Sequence, residues 1–180
     1  MRIISGKYKG KMLKFPKGIR PTQDKVRKAL FDILGDIQGL SFLELCAGSG
    51  AVGFEAISRG VGEVTLVEYN HGCLLALRKN IESLKSAACS LYPEEASKAI
   101  RNLHKDGKRF DIVFLDPPYY IALAKKILQT LEAYDILAPQ GLIIIQHFKK
   151  DNLPEAVGDL ILFKESRYGD TLLSFYKKIE

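Results

Sequence analysis

At 180 residues with 47% apolar content, the chain is long enough for one well-cored domain and too short for two comfortable ones. Its net charge of +6 is concentrated: residues 1–20 hold seven basic side chains (Arg2, Lys7, Lys9, Lys11, Lys14, Lys17 and Arg20) and no acid, leaving 20 basic residues against 21 acidic in the rest. No run approaches the ~18 apolar residues of a membrane span, and the opening MRIISGKYKGK is not a secretory leader, so a soluble, cytoplasmic protein without a membrane partner is expected. Cys46, Cys73 and Cys89 are odd in number and lack C-x-x-C spacing, and His71, His104 and His147 are scattered. The cysteines therefore read as reduced thiols, and no metal site is expected.

In chain order, residues 2–8 and 11–15 flank Lys9-Gly10 as a small β-hairpin with Ile3, Ile4, Leu13 and Phe15 as its apolar residues. Arg2, Lys7, Lys9, Lys11 and Arg20 around Tyr8 would suit a nucleic-acid surface, the cations meeting phosphates and the ring a base or sugar. A solvated edge ribbon whose lysines block aggregation is the structural alternative. We divide the chain into this element, residues 1–20, and a catalytic domain, residues 21–180, and expect the domain to fold without the hairpin. Thr22 is a good N-cap for a helix over 23–34, where Val26, Ala29, Leu30, Ile33 and Leu34 form one stripe.

From Phe42 onward apolar runs alternate with amphipathic segments, which predicts βα units and a parallel sheet. The core strands fall at 42–46, 64–67, 89–92, 112–115 and 142–145, with helical stripes through Leu74/Leu77/Ile81/Leu84, Ala96/Ala99/Ile100/Leu103 and Ala124/Ile127/Leu128/Leu131. Pro139-Gln140-Gly141 reads as a turn. Residues 160–163 and 172–176 are too close for an intervening helix and should close the sheet as an antiparallel hairpin.

Two stretches carry chemistry. The first strand runs into Glu44-Leu45-Cys46-Ala47-Gly48-Ser49-Gly50-Ala51-Val52-Gly53, a G-x-G-x-x-G loop that lets the backbone approach a ligand at a helix N-terminus. Glu68 follows 20 residues after Gly48, placed to accept ribose hydroxyls. Glu44 beside the loop would repel a dinucleotide pyrophosphate and attract an ammonium or sulfonium, which selects S-adenosylmethionine over NAD. The second stretch is Asp116-Pro117-Pro118-Tyr119 at the end of a buried strand, where the prolines stop the ladder and stiffen the turn. The Asp116 carboxylate and Pro117 carbonyl could each take one hydrogen of an exocyclic amine while Tyr119 stacks on the base.

In this order, E-x-x-x-G-S-G, Glu68 and D-P-P-Y resemble class I methyltransferases that modify exocyclic amines. GKYKGKML followed by RPTQDKVRKALFDIL, then ELCAGSGAVGFEAISRG, then RYGDTLLSFY are similar to the RsmD-type small-subunit ribosomal RNA guanine-N(2) methyltransferases, over Arg2 to Tyr176. The resemblance implies a Rossmann-like fold: a mostly parallel seven-stranded sheet with helices on both faces and an antiparallel C-terminal strand. It also implies S-adenosylmethionine as cofactor and 16S rRNA, within an assembled or assembling small subunit, as partner. The cofactor site falls on Glu44, Cys46, Ala47, Gly48, Ser49, Gly50, Glu68 and Tyr69, and the catalytic turn on Asp116, Pro117, Pro118 and Tyr119. Two positions depart from the family pattern: Glu95 stands where an Asp commonly meets the adenine amine, and Gln146-His147 follows the fifth strand where a Glu is usual. The alternatives are an adenine-N6 methyltransferase acting on DNA or RNA and a non-catalytic RNA-binding ribosome assembly factor.

Overall fold

A computed structural model describes residues 1–16, 18, 22–86, 88–118 and 121–179, so Arg20 and Tyr119 lie outside the described residues. One mixed sheet runs through the molecule in the order β3-β2-β1-β4-β5-β8-β7-β6. Its parallel half is β1 (Ser41–Leu45), β2 (Glu63–Val67), β3 (Cys89–Tyr92), β4 (Phe110–Leu115) and β5 (Leu137–Phe148). The antiparallel half adds β6 (Ala156–Val157), β7 (Leu160–Tyr168) and β8 (Thr171–Lys178). The sheet thus has eight strands where seven are read from the sequence. The extra one, β6, is two residues long and leaves no periodic trace. Pro139-Gln140-Gly141 is not a turn but an irregularity within β5: the pairing with β4 shifts register between Phe110 and Ile112, and Gln140 takes φ 63°. A bulge of this kind is where a strand tolerates proline.

Alternation along the central strands sorts the core into two layers. Phe42, Ile112, Phe114 and Ile144 pack with α1 (Asp24–Leu34), α2 (Ala51–Ser58) and α3 (His71–Leu84), through side chains such as Leu30, Phe31, Val52, Phe54 and Leu77. Their neighbours Leu43, Val113, Leu115, Ile143 and Ile145 pack with α4 (Ala96–Lys105) and α5 (Ile121–Ala133) on the other face, through Ile100, Leu103, Ile127 and Leu128. Among the described residues no helix is long and apolar enough to cross a membrane.

The N-terminal segment has one antiparallel bridge, Arg2 to Met12, in place of two strands. It is closed by hydrogen bonds from Ile3 N to Lys11 O (3.0 Å) and from Leu13 N to Met1 O (2.9 Å). Ile3 and Leu13 are 1% and 5% exposed, in the same core layer as α1 and α2. The fully buried Glu55 carboxylate accepts from Ile4 N (2.7 Å), Ser5 N (3.0 Å) and Arg59 Nε (2.9 Å), and stands 3.7 Å from the buried Arg27 guanidinium. Arg27 Nη2 in turn donates to the Arg2 carbonyl (2.7 Å). The segment is thus packed into the core it borders. Removing it would take two side chains out of the core and strip a buried carboxylate of two donors.

Candidate active site

The carboxyl ends of β1, β2, β4 and β5 open into one cavity of about 690 Å³. Its walls include Glu44, Cys46, Ala47, Gly48, Ser49, Glu68 and Tyr69 from the cofactor residues read off the sequence, together with Asp116 and Pro117 from the D-P-P-Y turn. Open α/β sheets bind ligands at this end of their strands, where side chains and loop N–H groups converge.

The glycine loop is shaped by the two glutamates. Gly50 is the N-cap of α2 in the left-handed region, φ 74°. Gly53 sits so close to β1 and β2 that a Cβ there would lie 2.6 Å from Leu66 Cδ2 and 2.8 Å from Glu44 Oε2, so only glycine lets its N–H reach Glu44 (2.8 Å). Burial pushes the Glu44 carboxyl from 4.5 up to about 8; the Gly53 N–H offsets part of this, and the negative Asp116 adds to it. Glu68 spends its oxygens on the backbone, Oε2 accepting from Gly48 N (2.8 Å) and Oε1 from Tyr69 N (2.9 Å) and Asn70 N (2.8 Å). A carboxylate offers about four acceptor sites, so Glu68 braces the loop and keeps room for one further donor. Cys46 takes φ 56° at the end of β1, and burial with four surrounding carboxylates pushes its thiol up to about 12. It is therefore a neutral wall of the cavity, not a nucleophile.

Asp116 leaves β4 into the rigid Pro117-Pro118 turn, and its Oδ2 accepts two hydrogen bonds, from Thr22 Oγ1 (3.0 Å) and Gln146 Nε2 (2.9 Å). Burial pushes its carboxyl from 3.8 up to about 6, against the pull of both donors. Thr22 is thus not the cap of α1: Gln23 occupies that position without a side-chain cap bond, and the Thr22 hydroxyl crosses to the catalytic turn. Gln146 comes from the end of β5 and also lines the cavity.

Glu95 is the N-cap residue of α4, its Oε1 4.0 Å from Lys126 Nζ, and it is one of the four carboxylates around Cys46. Arg2, Lys7 and Lys9 are exposed on the N-terminal segment, where Lys7 Nζ lies 5.3 Å and Lys11 Nζ 5.9 Å from the centre of the Tyr8 ring, and Lys11 also bonds the Ser83 carbonyl. Residues that the sequence does not announce also take part. Buried Asn80 on α3 joins the N-terminal segment to the glycine loop, bonding Lys14 N (2.7 Å), Lys14 O (3.0 Å) and Ser49 O (3.2 Å). Asn70 caps α3 and lines the cavity, and the β7–β8 turn from Tyr168 to Thr171 closes its far side. Only the last had a signal, inside the RYGDTLLSFY stretch. Among the described residues no group of three or more His, Cys, Asp or Glu side chains could hold a metal.

The donor set suits a cation. Glu44 is buried and Asp116 half-buried, both carboxyls are raised, and the Asp116 charge raises Glu44 further; a positive ligand between them would offset the desolvation and the repulsion.

Comparison with known proteins agrees with this architecture. The family model described as conserved hypothetical protein 95 matches residues 1–177. The provisionally named rRNA methyltransferase YlbH of Bacillus subtilis is 36% identical over 182 residues, 99% of each chain. The ribosomal RNA small subunit methyltransferase D of Escherichia coli K12 is 33% identical over 181 residues, covering 99% of this chain and 90% of its own. A solved structure of a hypothetical protein from Thermus thermophilus superposes with a TM-score of 0.84 at 33% identity, over 97% of this chain and 98% of its own. With a match of this extent, the chain belongs to the conserved hypothetical protein 95 family, to which it is joined at full length by small-subunit ribosomal RNA methyltransferases of the RsmD type.

Proposed function

We propose that this protein transfers a methyl group from S-adenosylmethionine to the exocyclic N2 amine of a guanine in 16S rRNA. The observation that carries the reading is the convergence of the Glu44–Gly53 loop and the Asp116-Pro117 turn on one cavity. When bound, the cofactor supplies an electrophilic methyl group on a sulfonium. Glu44 is the residue we assign to its positive end. Glu68 braces the loop at Gly48 and offers its remaining acceptor capacity to a ribose hydroxyl. Cys46, Ala47, Ser49 and Tyr69 form the walls.

On the substrate side, Thr22 and Gln146 both occupy Asp116 Oδ2, and Oδ1 is the atom we assign to one amine hydrogen, with the Pro117 carbonyl taking the other. Two acceptors on one amine favour a pyramidal nitrogen and aim its lone pair. A carboxyl near 6 is ionised at neutral pH yet basic enough to take the proton that the alkylated amine must lose. Tyr119 is assigned to stack on the base by its place in the D-P-P-Y motif; it lies outside the described residues. Arg2, Lys7, Lys9 and Lys11 around Tyr8, with Arg20, are assigned to RNA docking, residues 1–20 acting as the docking element and residues 21–180 as the catalytic domain. The substrate we assign is the assembled or assembling small ribosomal subunit, in the cytoplasm.

The test is transfer of labelled methyl from S-adenosylmethionine to unmethylated small-subunit rRNA, naked and in subunits, followed by digestion to nucleosides and mapping. Label in N2-methylguanosine at one position is the expected result. Label in N6-methyladenosine, or none in either substrate, would overturn the reading.

A further inference from the structure

The cations of the N-terminal segment do not all gather in one place. Lys7 and Lys11 stand about the Tyr8 ring, whereas Arg2 and Lys9 share with Lys25 and Lys28 of α1 a groove of about 460 Å³, lined also by Ile3 and Ile4. The groove holds four exposed basic side chains and one acid, Asp24, which is engaged by the buried Arg27 guanidinium at 2.9 Å. Among the described residues Arg2, Lys9 and Lys25 have no acidic partner. Lys28 has Asp32 at 2.6 Å, an ion pair more than half exposed on both sides and of the kind that contributes little to stability.

Both walls of the groove are fixed by one side chain. Arg27 Nη2 donates to the Arg2 carbonyl on the segment (2.7 Å) and to Asp24 at the start of α1 (2.9 Å), so the spacing between the two elements is set before any ligand arrives. A preformed groove spends little of its binding free energy on ordering the protein. The groove also adjoins the active site. Thr22, whose hydroxyl bonds Asp116, and Gln23 line the catalytic cavity, while Asp24 and Lys25 line the groove. Three residues span at most about 11 Å even when extended, so Lys25 stands within that distance along the chain from the partner of the catalytic carboxylate.

We propose that this groove is the track of the substrate RNA. The strand whose guanine is held at Asp116 runs on over the first turns of α1, its phosphates meeting Arg2 and Lys9 on one side and Lys25 and Lys28 on the other. Four like charges around one groove repel one another until a polyanion joins them, and RNA brings repeated negative charge together with sugar and base faces for Ile3 and Ile4. The docking surface therefore does not end at residue 20. Half of it belongs to the catalytic domain, on the same stretch of chain that holds Asp116. This inference rests on the reading of an rRNA substrate above and adds the α1 lysines to it.

The test is salt-dependent binding of naked small-subunit rRNA to a Lys25→Ala, Lys28→Ala protein. Its control is an Arg101→Ala, Lys105→Ala protein, which loses the same two charges from α4 on the opposite face of the sheet. The α1 double variant is expected to lower the slope of log affinity against log salt by about 1.4 to 1.8, roughly 0.7 to 0.9 per phosphate contact, and the α4 variant by less than about 0.5. In the α1 variant KM for RNA should rise while kcat stays within about 2-fold of wild type and S-adenosylmethionine affinity is unchanged. All four positions are exposed and alanine favours helix, so both melting temperatures should stay within about 3 °C of wild type. An unchanged slope in the α1 variant would overturn the proposal, as would an equal fall in both variants, which would mean that only net charge is felt. An unchanged slope on naked rRNA with weakened binding to assembled subunits would make the groove a protein contact and overturn it as well. Wild-type protein that transfers no methyl to small-subunit rRNA would remove the functional reading itself, a separate result read from product rather than from binding.

Discussion

Glu44 and Glu55 are two buried carboxylates eleven positions apart in one βα unit, and they are used in opposite ways. Glu55, on α2, is 0% exposed and surrounded by Ile4 N, Ser5 N, Arg59 and Arg27, a set that neutralises it and ties the N-terminal segment to the core. Glu44, on β1, is 3% exposed, accepts from Gly53 N, faces Asp116 across the cavity, and is pushed up to about 8. A buried charge that is fully partnered belongs to the architecture, whereas one left short of partners at a strand's carboxyl end is positioned for a ligand.

The comparison is broken most severely at Glu55. Glu55→Ala leaves Arg27 buried without its counter-ion and frees Ile4 N and Ser5 N, so a loss of about 3–5 kcal/mol in unfolding free energy is expected from denaturant titration. A loss below about 1 kcal/mol would mean that the segment is anchored by Ile3 and Leu13 alone.

Glu44→Gln should do the reverse to stability. Because the folded pKa is raised above the unfolded value, the native state holds a proton that the unfolded chain releases; this group favours folding most below about 4.5 and that contribution is lost as pH rises through about 8. Glutamine removes that slope, so relative to wild type the variant should gain a few °C in melting temperature at pH 8 and little at pH 5. Its affinity for S-adenosylmethionine should fall by about 10- to 100-fold, since a charged partner is lost. Wild-type affinity in the variant would detach Glu44 from the cofactor. The smallest effect is expected on the surface of the N-terminal segment. Its backbone makes the anchoring bonds, so Arg2, Lys7 and Lys9 can be changed together to Ala without unfolding it, and the slope of log RNA affinity against log salt should fall by about 2. An unchanged slope would place RNA docking on another face.

How much of this was legible in the sequence follows from how far each interaction reaches. The parallel strands were, because Phe42–Leu45, Val64–Val67 and Ile112–Leu115 are short runs that are apolar but for Glu44 and Thr65, and the glycine loop and D-P-P-Y turn are contiguous. Thr22 was misread as a cap because its partner, Asp116, is 94 positions away, and the Gln146 contact with Asp116 spans 30. The basic N-terminal segment looked separable because seven cations in 20 residues conceal that Ile3 and Leu13 are core.

The most direct test of the account is single-turnover methyl transfer to small-subunit rRNA by Asp116→Ala, with S-adenosylmethionine affinity measured on the same preparation. The account predicts transfer slowed by about 100-fold or more, affinity within about 3-fold of wild type, and a wild-type rate that climbs with pH through about 6 as Asp116 ionises. Near-wild-type transfer by Asp116→Ala, or a slow variant whose cofactor affinity has collapsed in parallel, would contradict the division of the cavity into a Glu44 side for the cofactor and an Asp116 side for the base.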